Sequence, residues 1–189
     1  IGLKNERIRL ISHQGNLPNA ISDLNIVILL KKETCTLIKD LPLFGINDNI
    51  FKTFSDRPNL LTKREIRIQL LADLDLPELG TLLDIGSGSG TIGLEALRLR
   101  PKLKLISIDK RFGSQLLVKE NAKNLGVSPT EIIESDVKNF LTNNLKNSLS
   151  FSNRIIIGGC NRDTKIEIIE TITKFLNQGD IIVLPVITF

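Results

Sequence analysis

One stretch constrains this chain more than any other: Leu82-Leu83-Asp84-Ile85-Gly86-Ser87-Gly88-Ser89-Gly90-Thr91. Two leucines and an isoleucine make a short buried strand. Three alternating glycines then let the backbone turn sharply and keep side chains out of a ligand's way. A helix starts at Thr91, and its first amides, unpaired within the helix, point back into the gap. Strand, glycine loop and helix in that order predict a nucleotide-like ligand held between Asp84 and Thr91.

Downstream the pattern is regular. Residues 91–100 read as helix, stopped by Pro101; 103–109 as strand; 113–125 as helix, ended by Gly126. Residues 131–134 form a third strand, 137–146 a short polar helix and 154–157 a fourth strand. A helix over 163–176, closed by Gly179, leads to a fifth strand over 180–188. Strands alternating with helices predict an α/β, Rossmann-like, doubly wound and mostly parallel sheet, with ligands beyond its carboxyl edge. The chain ends inside an apolar strand and has no Met, even at position 1. Both features predict a piece cut from something longer, its sheet truncated before the last strands.

Upstream, Thr62-Lys63-Arg64-Glu65 reads as a capping box with Thr62 at the N-cap, and Leu61 and Ile66 as its hydrophobic staple. Ile66, Leu70, Leu71 and Leu74 mark one apolar helix face, and Pro77 and Gly80 break the chain before the glycine-loop strand. Residues 41–61 are a connector whose Phe51 and Phe54 predict packing. Asn25-Ile26-Val27-Ile28-Leu29-Leu30 is a strong β run that cannot fold alone.

Composition excludes some classes of function. Eight Phe with no Trp or Tyr argue against an RNA-stacking surface, and a net charge of +4 favours anionic partners only weakly. Cys35, Cys160 and one histidine, His13 in a polar loop, make neither a structural zinc site nor a disulfide framework. No metal is expected. Without a membrane-length apolar run or a signal-peptide pattern, the expected location is cytoplasmic.

Gly88-Ser89-Gly90-Thr91-Ile92-Gly93 matches a dinucleotide fingerprint, but that match is weak alone. The reading favoured instead begins at Asp84: an acid at the strand end followed by three alternating glycines, the loop of class I S-adenosylmethionine-dependent methyltransferases. A carboxylate beside the loop suits the ammonium of S-adenosyl-L-methionine. Asp109 ends the second strand, where it can accept both ribose hydroxyls. Asp136 ends the third, where its side chain and the Val137 amide can meet the adenine; each of these acids alone reads equally as a helix N-cap or a solvated loop acid. Ile157-Gly158-Gly159-Cys160 ends the fourth strand and reads either as a wide floor for a planar substrate or as a plain tight turn.

From about Leu41 to Phe189 the chain resembles the CbiT family, the decarboxylating C-15 methyltransferases of cobalamin biosynthesis. The resemblance rests on Gly45-Ile46-x-Asp48-x-x-Phe51, Leu61-Thr62-Lys63-Arg64-Glu65-Ile66-Arg67, Asp84 to Gly90, and Ile157-Gly158-Gly159. It implies methyl transfer to C-15 of a precorrin with decarboxylation of the C-12 acetate. It also implies S-adenosylmethionine held by Thr62, Gly86, Ser87, Gly88, Ser89, Gly90, Asp109, Asp136 and Val137, to which the reading of the strand-end acid adds Asp84. The family's Gly-Asp-Ala is Ser135-Asp136-Val137 here, and the valine is expected to narrow the adenine slot. Lys63, Arg64 and Arg67 are candidates for the carboxylates of the anionic tetrapyrrole, with Gly158 and Gly159 beside it; no catalytic residue is assigned.

Residues 1 to about 32 resemble the tail of a tetrapyrrole methylase, through Glu6-Arg7-Ile8 and Leu24 to Leu29. The expected domains are therefore a C-5 methyltransferase remnant over 1–40, a connector over 41–61 and the methyltransferase domain over 62–189. They imply a fused C-5,15 enzyme, expected to be a homo-oligomer without nucleic-acid or membrane partners. The alternatives are an RNA methyltransferase, using Arg98, Arg100, Lys102, Lys104, Lys110 and Arg111, and an NAD-type dehydrogenase domain.

Overall fold

The computed structural model describes residues 40–148 and 153–185. The expectations for the β run over 25–30, for His13 and for Cys35 lie outside the described residues. The backbone divides into Ile1–Cys35 and Thr36–Phe189, and the described residues belong to the second unit.

Five parallel strands form one sheet. In chain order the elements are α1 (Arg64–Asp73), β1 (Thr81–Ile85), α2 (Thr91–Leu99), β2 (Lys104–Asp109), α3 (Ser114–Leu125), β3 (Glu131–Glu134), α4 (Val137–Ser148), β4 (Asn153–Ile157), α5 (Arg162–Ile172) and β5 (Ile181–Val183). The spatial order is β3-β2-β1-β4-β5, so the chain reverses direction across the sheet between β1 and β4. β1 and β4 are the paired central strands and are buried along their whole length.

Alternation along the strands separates two cores. Leu82, Leu105 and Ile156 face α1, α2 and α3, whose Leu71, Leu94 and Val118 are buried against them. Leu83, Ile85, Ile106, Ile108, Ile155 and Ile157 face α4 and α5, whose Phe140 and Ile168 close the other side. Helices therefore cover both faces, as the alternation in sequence predicted.

Gly93 lets α2 lie close on the sheet. A Cβ built there would stand 2.7 Å from Leu105 Cδ1 and 2.9 Å from Asp84 Oδ2. The sixth position of the apparent dinucleotide fingerprint is thus used for helix-on-strand packing.

Three expectations need correction. The N-cap of α1 is Lys63, not Thr62, and it makes no side-chain cap. The Thr62 carbonyl instead accepts from Arg67 Nη1 at 2.5 Å, which holds the chain outside the helix one residue longer than the capping box implied. Ile66 is 51% exposed, while Arg67 is fully buried in the face shared with Leu70 and Leu71. Finally, α5 gives way to a 3-10 turn over Thr173–Phe175, and among the described residues the last strand covers Ile181–Val183, with 180, 184 and 185 outside it. Residues after 185 lie outside the described part.

Helix propensity alone would make Gly93→Ala stabilising by about 1 kcal/mol. The close contacts with Leu105 and the Asp84 carboxylate reverse that sign. The variant should be less stable than the parent by about 1–3 kcal/mol, read from urea unfolding midpoints at constant m.

Candidate active site

The glycine loop lies where β1 ends beside β2 and β4. The amides of Gly86 and Ser87 both reach the Ile108 carbonyl, at 2.8 and 3.1 Å, and the Gly90 amide closes on the Ser87 carbonyl at 2.8 Å. Gly86 has φ +71°. A Cβ on it would sit 2.3 Å from the Gly158 carbonyl oxygen, a backbone atom that cannot step aside. The loop after β1 and the loop after β4 therefore touch through bare backbone. The Gly158 amide reinforces this contact by donating to the Ile85 carbonyl at 2.8 Å.

Gly158 and Gly159 are thus primarily a packing seam against Gly86, and the wide-floor reading is corrected to that extent. Gly159 has φ +61° and is exposed, so the seam still opens to solvent. At the loop crest, a Cβ on Gly88 would meet nothing within 4 Å, so room for a ligand lies beyond it.

Of the three acids, Asp109 alone accepts a hydrogen bond from this loop. Asp109 accepts the Gly88 amide on Oδ2 at 2.7 Å and the Arg111 amide on Oδ1 at 2.8 Å. It ties the glycine loop to the end of β2 and is only partly buried. Asp136 accepts the Lys138 amide at 2.9 Å and stands at the start of α4, as a helix-capping acid does. The Val137 side chain turns into the core shared with Phe140 and Leu141, so it does not fill a slot at the mouth.

Asp84 is only 3% exposed and accepts the Gly93 amide at 3.2 Å. Its register neighbour Ser107 has a buried hydroxyl with no hydrogen-bond partner. Burial pushes the Asp84 carboxyl up to about 7; the Gly93 amide opposes the rise and the Asp109 charge adds to it.

Sequence reasoning missed the frame behind the loop. Asn121 on α3 donates to the Ser89 carbonyl at 2.9 Å and the Lys52 carbonyl at 3.0 Å, and accepts the Lys52 amide at 2.8 Å. It joins the glycine loop to the connector. Glu95 on α2, wholly buried, accepts Arg67 Nε at 2.8 Å and the Gly45 amide at 2.6 Å. Arg67 also reaches Asp48 Oδ1 at 2.6 Å and the Ile46 carbonyl, and lies 4.8 Å over the Phe51 ring. A fully buried guanidinium with its donors engaged has no route to a substrate carboxylate, so that expectation for Arg67 is corrected.

Lys63 remains 56% exposed, 3.8 Å from Asp48. Arg64 is exposed, with Nε on the Gly45 carbonyl at 2.6 Å. An acid isolated in the apolar run Gly93-Leu94-Glu95-Ala96-Leu97, and a base on the apolar face of α1, were the signals that pointed to a buried pair.

Beyond β4, burial raises the Cys160 thiol; Lys165 and then Lys110 oppose the rise, and Asp109 and Asp136 add to it. Among the described residues, no group of His, Cys, Asp and Glu could hold a metal ion, and no helix is long and apolar enough to cross a membrane.

A parallel 3-2-1-4-5 sheet, a glycine loop after its first strand and acids at the ends of the first two define a class I S-adenosylmethionine-dependent methyltransferase fold. Comparison with known proteins narrows the class. The model of the precorrin methyltransferase domain matches residues 53–189. The chain is 36% identical over 146 residues to a protein of Pyrobaculum aerophilum named "probable cobalt-precorrin-6B C(15)-methyltransferase (decarboxylating)", covering 76% of this chain and 70% of that one. A protein of the same name from Saccharolobus solfataricus is 31% identical over 144 residues, covering 76% of this chain and 69% of that one. The crystal structure of a precorrin-6Y C5,15-methyltransferase from Geobacter metallireducens superposes with a TM-score of 0.63 at 27% identity, over 76% of this chain and 72% of that one. The chain belongs to the precorrin methyltransferase family.

The unfolded carboxyl titrates near 3.9, below the value of about 7 for folded Asp84. The folded state therefore holds this proton more tightly. The resulting stabilisation is complete below about pH 4 and is lost as pH rises through about 7. Ligand-free protein should lose up to about 4 kcal/mol across that interval through this group, and Asp84→Asn should remove that slope in urea unfolding.

Proposed function

We propose that this chain transfers a methyl group from S-adenosyl-L-methionine to C-15 of a precorrin and assists decarboxylation of the C-12 acetate, within corrin-ring synthesis. The observation that carries the reading is the convergence of the Gly86–Gly90 loop with Asp84 and Asp109 at one sheet edge, in a chain of this family. The residues fit the donor: the loop crest is open at Gly88, and a partly buried carboxylate stands beside it.

In this reading Asp84, buried behind the loop, supplies the acidic group that favours the donor's ammonium from beneath, and Asp109 keeps lone pairs for ribose hydroxyls. Asp136 and the Val137 amide border the adenine, and Thr62, Gly86, Ser87, Gly88, Ser89 and Gly90 line the remainder. When bound, the donor supplies an electrophilic sulfonium methyl, which an electron-rich ring carbon takes with loss of S-adenosylhomocysteine. An enamine-like carbon needs little help from a base, so the chain's work is to hold two reactants in line and keep water out. Gly158 and Gly159 lie at the seam beside the reacting edge, and Lys63 and Arg64 stand exposed for substrate carboxylates.

Residues 1–40 are read as the end of a C-5 methyltransferase fused to this domain, on the resemblance of residues 6–8 and 24–29. The fused enzyme is read as a cytoplasmic homo-oligomer. Of the six basic residues an RNA substrate would use, four are engaged within the chain, while Lys104 and Lys110 are exposed. Arg98 is engaged by the carbonyls of Leu41, Pro42, Leu43 and Leu125, Arg100 by that of Leu76, Lys102 by Glu78, and Arg111 by Phe54 and Asp56.

Incubation with labelled S-adenosylmethionine and either the precorrin or RNA decides the acceptor: methyl transfer only to RNA would overturn the reading. By calorimetry, Asp109→Asn should weaken S-adenosylhomocysteine binding about tenfold, the loss of one charge-assisted hydrogen bond. Unchanged affinity would remove Asp109 from the site.

A further inference from the structure

The buried cluster around Arg67 is more polar than stability requires. A well-packed apolar set of similar volume often holds a core as well as a buried ion pair or better. What an apolar set cannot do is aim a backbone carbonyl. The planar guanidinium fork fixes both distance and direction to each partner.

One edge of that fork is on α2: Arg67 Nε meets Glu95 Oε1 at 2.8 Å, and Glu95 lies four residues beyond Thr91, where the glycine loop becomes helix. Another edge is on Thr62, whose carbonyl accepts Nη1 at 2.5 Å, while the same nitrogen meets Asp48 Oδ1 at 2.6 Å. The connector is drawn into the arrangement by the Gly45 amide on Glu95 Oε2 and by Phe51 beneath the guanidinium.

We propose that Arg67 is a positioning residue for the donor site, acting through Thr62. It references Thr62 to the rigid helix that leaves the glycine loop, so the Thr62 side chain meets the bound donor at a set distance from Gly86 to Gly90. The inference rests on the reading that Thr62 borders S-adenosylmethionine. It gives the segment from Gly45 to Arg67 one shared task, since its Asp48, Phe51, Thr62 and Arg67 all meet at one guanidinium.

The test is a double-mutant cycle on the full chain, with S-adenosylhomocysteine affinity by calorimetry and the thermal midpoint measured in parallel. Asp48 is 28% exposed, so Asp48→Asn loosens the fork without emptying the core. Arg67→Lys keeps the charge and loses the fork. Thr62→Ala should weaken binding about tenfold and Asp48→Asn or Arg67→Lys about fivefold. Each variant paired with Thr62→Ala should bind within about twofold of Thr62→Ala alone, because the group being positioned is gone. A lower midpoint with unchanged affinity in Asp48→Asn means a structural role only and overturns the inference, as do additive losses in the double variants. Normal binding by Thr62→Ala overturns it as well but leaves the methyltransferase reading standing. Absence of binding by the parent chain overturns both.

Discussion

Everything at the working edge depends on two loops touching through backbone alone. The glycine loop leaves β1 and the Gly158-Gly159 turn leaves β4, and the strands are neighbours at the centre of the sheet. Side chains at this seam would hold the loops apart: a Cβ on Gly86 would fall 2.3 Å from the Gly158 oxygen. With the loops in contact, the Ile85 carbonyl finds the Gly158 amide, and the Ile108 carbonyl finds Gly86 and Ser87. Strand ends that would otherwise leave unpaired polar groups are satisfied by one another. Open space remains at the loop crest, at Gly88, whose amide Asp109 accepts.

The second constraint is charge placed under and beside α2. Asp84 lies beneath the helix start, Glu95 is buried on its second turn, and Arg67 reaches across from α1. Removing one partner from such a buried pair costs about 3–5 kcal/mol, because the other is left in a medium that solvates it poorly. Asn121 adds a neutral version of the same device, with its amide shared between the connector and the glycine loop. The loop is thus held by Asp109 in front and Asn121 behind. Little freedom is left to a loop made mainly of Gly and Ser, residues that would otherwise be conformationally permissive.

Periodicity within single elements was legible. The boundaries of α3 and β3 follow from Gly126 and from the short apolar pair Ile132-Ile133, and helices on both faces follow from the alternation of elements. The acids near the strand ends were legible, because residues where a parallel strand runs out stand near its carboxyl edge; their surroundings were not, since Asp109 ends β2 while Asp84 is buried beneath α2 and Asp136 lies past β3. The start of α1 was not. The four-residue capping pattern ends at Glu65, yet the guanidinium of Arg67, five residues beyond Thr62, took the Thr62 carbonyl. Val137 also read differently from sequence, since only the packing of α4 on the sheet decides whether that side chain faces the mouth or the core.

The amino-acid sequence by itself determined the alternation of strands and helices, the glycine loop and the acids around it. These are set by backbone conformation and hydrophobic period over a few residues. Tertiary structure alone decided that Arg67 pairs with Glu95 28 residues away, that Asn121 answers Lys52 69 residues away, and that Gly158 is a seam against Gly86. The physical reason is separation. A buried charge or amide must find its partner among groups brought near by the fold, and nothing in its own neighbourhood in sequence says which one that is.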